Sequence, residues 1–269
     1  MATIVKMGGK IEDMVAAFKS AKTDKTSARG RLAVGFADTM DGLNVRSVYG
    51  SPKGMFSLFN KFTRAYTESL KAPIVDFQRG AVVATNGWEM LLCDIPKEMR
   101  GDREVAEGAG FVDEEKSGVC WWNCIPDRIV TDYSLACLKE IAVIERGGKL
   151  HSDLMAMEKC AKAYEHTDED GCYHTIYVWF GDKLYNVRQV ARLVTAVFKL
   201  GNRKVGIYEQ TGYLGMSAVG NAPMHIIGIE RDKIPNNNSR GLVMPIRHYG
   251  METAPAFVFP VEGKGANAA

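Results

Sequence analysis

The sequence lacks several features that would place it at once in a functional class. No stretch has the 18 or more consecutive apolar residues of a membrane-spanning helix. Only six of 269 residues are cysteine, too few for a disulfide scaffold, which favours a reducing compartment. Lys and Arg number 34 against 32 Asp and Glu, so no net charge draws the whole chain toward nucleic acid or lipid. The first six residues are too polar for a signal peptide, and we expect a cytoplasmic protein.

Motifs for cofactors, phosphates and metals are also missing. Residues 108–110 lack the third glycine of a dinucleotide fingerprint, and residues 147–149 lack the first glycine of a phosphate-binding loop. Cys120 and Cys124 are a close pair, but no second pair follows to complete a zinc site. The acidic residues of 168–170 lie in a polar segment without recognisable partners. We therefore expect no catalytic residue, no cofactor and no metal, and predict that the protein is not an enzyme.

Apolar residues recur at helical spacing in several stretches. In the strongest, residues 187–200, they occur at i, i+3, i+4 and i+7 from Val187. Asn186 and Gly201 stand where an N-cap and a left-handed C-cap belong. The other predicted helices are 10–21, 54–70, 152–166 and, more weakly, 132–142.

Short runs rich in β-branched and aromatic residues predict strands between these helices. The predicted strands are 31–37, 43–49, 74–77, 81–84, 89–93, 175–180, 204–208, 225–229 and 242–247. Residues 41–42 and 79–80 resemble hairpin turns, and the charged segment 96–117 is the best candidate for a long loop or domain boundary. Several strands follow each helix, which favours an α+β fold with helices packed on antiparallel sheets over a doubly wound parallel sheet.

Basic residues share a face on each of four predicted helices. The set is Lys19, Lys22, Lys61, Arg64, Lys71, Lys159, Lys162, Arg188, Arg192 and Lys199. Such faces, lined up, hold a phosphate backbone without reading bases. For any single helix an ordinary solvated face is the better interpretation, and the four together make DNA contact an equal alternative.

Four motifs carry a resemblance to a known family. Residues 84–90 are Ala-Thr-Asn-Gly-Trp-Glu-Met, and residues 242–247 are Leu-Val-Met-Pro-Ile-Arg. Residues 122–126, Trp-Asn-Cys-Ile-Pro, and 185–190, Tyr-Asn-Val-Arg-Gln-Val, lie between them. Together they resemble the bacterial-type sliding clamp, the DNA polymerase III beta subunit, whose middle domain has an Ala-Thr-Asp-Gly-His-Arg-Leu turn and whose chain closes on Val-Met-Pro-Met-Arg. In residues 84–90, Asn, Trp and Glu replace the family's Asp, His and Arg.

The resemblance implies a replication processivity factor that encircles double-stranded DNA without sequence preference and does no chemistry. Helices would line the hole, and sheets would form the outside. The chain would have an N-terminal clamp-like domain over 1–118, a C-terminal one over 119–250 and a tail over 251–269. A homo-oligomeric ring of six domains would then need three copies. The short chain points to a phage or mobile element as its source.

The resemblance also implies an apolar cleft that docks DNA polymerase or other replication proteins. Carried over by position, its residues are Thr85, Gly87, Met90, Pro126, Leu242, Val243, Met244, Pro245 and Arg247. Met and Leu side chains make an adaptable groove for the apolar anchors of a peptide. An edge strand ended by Pro245 is an equally good interpretation of 243–246. Trp88 and Glu89 replace two donors, so we expect an altered choice of partner.

Other interpretations of the chain stay open. One is a monomeric clamp-fold module that docks on replication proteins or imitates a clamp. Another is an unrelated α+β enzyme, whose pocket would be formed by residues 119–124 and 201–220. The plainest is a soluble α+β domain of unknown purpose. The mass of the protein in solution separates the ring from the monomeric module.

Overall fold

The fold is described from a computed structural model. It describes residues 48–121, 138–167, 169, 171, 173–210, 222–231, 239–246 and 256–259. Every structural statement below concerns these residues. The predicted helix 10–21, the strand 31–37, the turn 41–42 and most of the strand 43–49 lie outside them.

Both helices and strands are present, which confirms the α+β class. The helices are α1 Pro52–Phe59, α2 Arg103–Ala109, α3 Glu114–Ser117, α4 Lys149–Tyr164 and α5 Val187–Lys199. The strands are β1 Ile74–Asp76, β2 Ala81–Thr85, β3 Glu89–Asp94, β4 Val112–Asp113, β5 Leu138–Glu145, β6 His166–Thr167, β7 Tyr173–His174, β8 Tyr177–Phe180, β9 Lys183–Asn186, β10 Asn202–Gln210, β11 Met224–Arg231, β12 Arg240–Val243 and β13 Ala256–Val258. Within the described helices, none is long and apolar enough to cross a membrane.

One large sheet contains most of the strands, in the order β4-β1-β2-β3-β12-β11-β10-β5. Its first four strands come from residues 74–113 and its last four from residues 138–243, and the two halves join where β3 pairs antiparallel with β12. The β1–β4 pair is parallel, whereas β1–β2, β2–β3, β10–β11 and β11–β12 are antiparallel. The prediction of mainly antiparallel pairing therefore agrees with this sheet.

The described residues form two compact units, each assembled from separated parts of the chain. One contains those of 45–143 and 193–244, and the other those of 144–192 and 245–269. These units differ from the predicted linear domains 1–118 and 119–250, because strands from both sides of residue 118 pair in one sheet.

The sheet is buried on both faces where its two halves meet. On one face lies an apolar cluster that is covered by the indole of Trp121; the cluster is Ala81, Val83, Met90, Leu92, Trp121 and Leu242. On the other face, a Cβ built on Gly241 would lie 3.0 Å from Cδ2 of Leu193 in α5. The absence of a side chain at Gly241 therefore allows α5 to pack closely against β12.

The second unit is built around two hairpins and a helix. Strands β8 and β9 form an antiparallel hairpin, and β13 adds to β8 in parallel. The ring of Phe259, after β13, stacks on Phe180 with centroids 4.5 Å apart. A shorter hairpin, β6–β7, follows α4 directly.

Helix α5 confirms the strongest prediction from the sequence. It spans Val187–Lys199, and the side chain of Asn186 accepts hydrogen bonds from the backbone amides of Arg188 and Gln189 at 2.9 and 3.4 Å. Gly201 has a positive φ of 95° and its amide donates to the carbonyl oxygen of Phe198. Both caps are therefore where the sequence places them.

The helix predicted over 54–70 is wrong beyond Phe59. A short 3-10 turn follows, and the hydroxyl of Thr63 donates back to the carbonyl oxygen of Asn60 at 2.8 Å. Thr63 is itself extended, with φ −95° and ψ 170°. This local hydrogen bond competes with helix continuation, as Ser and Thr side chains do. Lys61, Arg64 and Lys71 consequently do not share the face of one helix.

Three further predictions from the sequence need correction. Residues 96–117 are not a long loop, because α2, β4 and α3 lie there, with Asp102 and Asp113 capping the two helices. The described part of the weak helix 132–142 belongs to strand β5. Strand β12 ends at Val243 and lies between β3 and β11, so the edge-strand interpretation of 243–246 is wrong.

Candidate functional site

Two of the motifs that resemble the clamp become hydrogen-bonded neighbours in the sheet. Met90 of β3 lies opposite Leu242 of β12, and Glu89 lies opposite Val243. The backbone amide of Met244 continues this pairing by donating to the carbonyl oxygen of Trp88 at 2.9 Å. Residues 84–90 and 242–244 thus form one end of a continuous strand pair.

The turn between β2 and β3 is fixed by its own side chains. The side chain of Asn86 accepts hydrogen bonds from the amides of Trp88 and Glu89, at 3.0 and 3.1 Å. The hydroxyl of Thr85 donates to the carbonyl oxygen of Glu89 at 2.8 Å and accepts from the amide of Gly87, whose φ is +91°. The turn therefore holds Trp88 at its tip, where 63% of that residue is exposed.

Two side chains of this turn, Asn86 and Glu89, are hydrogen-bond partners of each other. The amide nitrogen Nδ2 of Asn86 donates to Oε1 of Glu89 at 2.9 Å, and Glu89 is buried. A buried carboxyl group needs such a donor, because leaving a buried polar group without a hydrogen bond costs about 1–3 kcal/mol, and more if the group is charged. Asn86 and Glu89 therefore stabilise the turn together, whereas Trp88 is exposed at its tip.

The predicted cleft residues do not all line an open groove. Met90 and Leu242 are buried in the cluster beneath Trp121, and Val243 is buried on the opposite face of the sheet. Thr85 and Met244 are half-buried, and Gly87 is exposed. Pro245 is half-buried and belongs to the other compact unit, whereas Pro126 and Arg247 lie outside the described residues. The accessible part of the candidate cleft is therefore the turn with Trp88, next to Met244.

The predicted DNA-facing residues of α5 differ in their ion pairs and in their exposure to solvent. The guanidinium of Arg188 forms an ion pair with the carboxylate of Glu165. Arg192 is exposed and Lys199 is half-buried in the last turn, whereas the valines of the opposite face are fully buried. A phosphate would have to displace Glu165 from Arg188, and burial of the Arg192 guanidinium lowers the pKa of Arg192 below the ordinary value.

The remaining basic positions are dispersed over several elements. Lys159 is half-buried and Lys162 exposed, both on α4. Lys71 pairs with Glu68, and the guanidinium of Arg64 lies 5.7 Å from the ring centroid of Tyr66. Lys61 is exposed on the turn after α1, and Lys19 and Lys22 lie outside the described residues. The three positions 61, 64 and 71 do not form the predicted helical stripe.

The alternative enzyme pocket was expected at residues 119–124 and 201–220, of which the structure describes 119–121 and 201–210. Trp121 and strand β10 have structural roles there. Nε1 of Trp121 donates to Oδ2 of Asp76 at 3.0 Å, and both residues are buried. Arg79 also donates to Asp76, from its backbone amide and from its guanidinium. Trp121 thus anchors the core of the sheet, and residues 201–210 are largely strand β10. In the described part of the chain, no group of three or more His, Cys, Asp and Glu residues is arranged to hold a metal.

Comparisons with known proteins give no relative of this chain. No protein-family model matches it. No curated protein and no solved structure matches it either. Function therefore has to be argued from the residues and contacts of the chain itself.

Proposed function

We propose that the protein is a sliding-clamp-like docking factor, which holds DNA polymerase or another replication protein on double-stranded DNA. The observation that carries the proposal is the adjacency of residues 84–90 and 242–244. These two segments resemble the two parts of one partner-binding cleft in the clamp family. Their direct hydrogen bonding, through β3, β12 and the Met244–Trp88 contact, supports a shared function at this end of the sheet.

The large sheet draws strands from both parts of the chain. Residues 74–113 and residues 138–243 contribute four strands each, and the halves are continuous through β3 and β12. Because these strands lie almost entirely within one compact unit, the sheet does not divide into the two clamp-like domains that the resemblance implies. The ring of three copies is therefore proposed from the resemblance alone.

The chemistry of the turn suits the capture of an apolar peptide. Trp88 is a large side chain with few rotatable bonds, and it is presented by a backbone that Thr85 and Asn86 hold in place. Exposed aromatic anchors of this kind dominate protein–protein binding energies, because little conformational entropy is lost when they are covered. Trp88 would therefore carry a large share of partner affinity.

A monomeric docking module is the second candidate function, and the surroundings of α5 favour it. Most of this helix is buried and Arg188 is engaged by Glu165, which leaves little of α5 to face a phosphate backbone. Such a module would keep the turn at Trp88 and would not encircle DNA. The two candidates share the docking site and differ in assembly.

The decisive experiment measures assembly and DNA retention together. The mass in solution is followed by size exclusion with light scattering over a range of concentration and salt. The clamp-like proposal predicts a stable trimer of 29.6 kDa subunits, retained on circular DNA and lost from the same DNA after linearisation. A monomer at every concentration would refute the ring and leave the docking module. Equal retention on circular and linear DNA would refute encirclement.

A further inference from the structure

An exposed tyrosine lies in the loop that follows α1. Tyr66 is 87% exposed, the largest exposed fraction of any large apolar side chain in the described part of the chain. The loop leaves the core at Phe62, which is fully buried, and returns to it at Pro73, which is buried as well. A backbone hydrogen bond of 2.8 Å, from the amide of Arg64 to the carbonyl oxygen of Leu70, closes the loop around the tyrosine. The ring of Tyr66 is therefore presented to solvent by an ordered, closed backbone.

The side chain of Arg64 lies beside this ring. Its guanidinium carbon is 5.7 Å from the ring centroid of Tyr66, a distance at which a cation and an aromatic face attract each other. Arg64 is exposed, and none of the described carboxylates forms an ion pair with it. The two side chains therefore combine a flat aromatic face with a cation that has kept its charge available.

Another exposed tyrosine with an arginine neighbour shows what is different here. Tyr173 is 57% exposed, and its hydroxyl is hydrogen-bonded to Glu165 and Arg188. Arg188 is itself paired with the carboxylate of Glu165, so its charge is neutralised within the protein. At Tyr66 no described carboxylate does this, and Arg64 can pair with an anionic ligand.

The other charges of the loop also favour an anion. Lys61 is exposed, and no described carboxylate pairs with it. It precedes Arg64 by three residues, which span at most about 11 Å of chain, so the two cations are near neighbours. Glu68 is the single acidic residue of segment 60–71, and Lys71 neutralises it in an ion pair. The segment thus has three cations against one carboxylate, next to an exposed aromatic ring.

We propose that the loop 60–71 binds single-stranded nucleic acid. One unpaired base stacks on the ring of Tyr66, and Arg64 and Lys61 hold the phosphates of the backbone. Proteins that bind single strands without sequence preference combine these two elements, because every base has a π face and every nucleotide a phosphate. The contact is separate from the turn at Trp88, and it depends neither on docking there nor on assembly of a ring.

The surroundings of the ring favour this ligand over a duplex or a protein. In a duplex the faces of the bases are covered by their stacked neighbours, so only an unpaired base can stack on a side chain. An aromatic anchor for a protein needs a wider packed rim that excludes water. The chain neighbours of Tyr66 are Ala65 and Thr67, whose small side chains offer little such surface. A base on the ring and phosphates on the cations use what this loop presents.

The test measures binding of the whole chain to dye-labelled oligonucleotides by fluorescence anisotropy. The probes are oligothymidylate and oligouridylate of about 20 nucleotides, longer than a typical single-strand site, and a duplex of the same length. Both single strands should bind more tightly than the duplex. Tyr66→Ala should weaken their binding by about fivefold or more, the loss expected for one base–aromatic stack. Tyr66→Phe keeps the ring and should bind as the unaltered protein does. Tyr173→Ala removes the other exposed tyrosine and is the matched control, with unchanged binding expected.

A second measurement uses the unaltered protein, so it does not depend on the folding of a variant. An oligonucleotide that contains 5-bromouracil is cross-linked to the protein by ultraviolet light, and the adducts are located by mass spectrometry. An adduct on Tyr66 is expected. Adducts confined to other residues would overturn the proposal, and so would equal affinity of Tyr66→Ala and the unaltered protein. Binding of the duplex as tightly as the single strands, or binding of no probe at all, would overturn it as well.

The two proposals can fail separately. Capture of a polymerase at Trp88 is measured without nucleic acid, so Tyr66→Ala should leave it unchanged. Conversely, Trp88→Ala should bind the single-stranded probes as the unaltered protein does. A loss of single-strand binding in Trp88→Ala and not in Tyr66→Ala would overturn the assignment to this loop.

Discussion

The backbone amide of Met244 donates a hydrogen bond of 2.9 Å to the carbonyl oxygen of Trp88. This contact extends the β3–β12 pairing past the last residue of β12 and reaches the turn of the β2–β3 hairpin. The position of Trp88 is therefore fixed relative to β12, the strand that contains the start of the motif at residues 242–247. The two segments thus form one continuous surface, and a substitution in either should alter the structure of both.

Trp88→Ala should reduce the capture of a replicative DNA polymerase at least tenfold while leaving stability nearly unchanged. The side chain is mostly exposed, and surface substitutions of this kind change the free energy of unfolding by about 0.5 kcal/mol or less. Capture is measured by surface plasmon resonance with purified bacterial-type polymerase. Tyr66→Ala removes another exposed aromatic ring, 87% accessible, and serves as the control. Equal binding by both variants would exclude Trp88 as the anchor.

Met244→Asp should abolish partner capture and leave the sheet folded. The side chain is half-buried beside the turn, so a carboxylate there would have to be desolvated when an apolar peptide binds. The hydrogen bond to Trp88 uses the backbone amide and survives the substitution. Met244→Leu keeps the apolar surface and should retain capture. Unchanged binding by the aspartate variant would contradict a docking role for this position.

Leu242→Ala should lower the free energy of unfolding by about 2–5 kcal/mol, the usual loss for a buried leucine. Its side chain is packed with Met90 and Trp121 in the core cluster, so truncation leaves a cavity. Urea denaturation followed by tryptophan fluorescence measures the change. Val105→Ala, on the exposed surface of α2, is the control and should cost far less. A small effect at Leu242 would mean that this residue lines an open groove and not the core.

Gly110→Ala should destabilise the packing of α2 on α1 by about 2 kcal/mol, within the range for strained backbone and close contacts. Gly110 ends α2 with φ +106°, and a Cβ there would lie 2.7 Å from Cε2 of Phe56. Gly118 also has a positive φ, of 66°, but nothing lies within 4 Å of its Cβ position. Gly118→Ala should therefore cost only about 1 kcal/mol, the backbone part alone. Thermal denaturation of both variants separates the two contributions.

His151 should make the protein less stable in mild acid. Burial lowers the pKa of His151 below its ordinary value of 6.5, with Arg146 as a smaller cause. As the pH falls below 6.5, the unfolded chain takes up a proton before the folded protein does. The contribution of His151 to stability is thus complete above pH 6.5 and is lost as the pH falls through the lowered pKa.

Chemical denaturation at pH 7 and pH 5 measures this dependence. The amide of Gly147 donates to Nδ1 of His151 at 2.9 Å, so His151→Gln offers a non-titrating residue that retains an acceptor. The variant should lose less stability than the unaltered protein between the two pH values. The same loss in both would show that other groups control the acid sensitivity.

The parts of the fold that follow from local pattern were predictable. Helix α5 was predicted with both caps, because apolar spacing and capping residues lie within one segment. The end of α1 was missed because the hydroxyl of Thr63 turns the chain back on Asn60. Helices α2 and α3 were missed because they are short and mostly exposed, so they have few apolar residues to show a period.

The candidate sites depend on contacts that no local pattern contains. The resemblance to the clamp predicts that residues 84–90 and 242–247 belong to one site. It does not predict that Met90 and Leu242 are buried. Both residues are buried in a cluster with Trp121, which packs on the sheet from another part of the chain. The exposure of Tyr66 was also missed, because the predicted helix 54–70 does not continue past Phe59. The proposals for DNA, polymerase and ring assembly stay predictions.

The position of β12 in the middle of the sheet has a consequence for the protein's synthesis. Strand β3 is complete at Asp94, but its neighbour begins only at Arg240. At ordinary translation rates the ribosome needs on the order of ten seconds to cover that interval. During this time β3 is an open strand edge on a nascent chain, available to other strands. Its own partner becomes available only after most of the remaining sequence has been made, so factors that shield nascent chains would have a defined edge to protect.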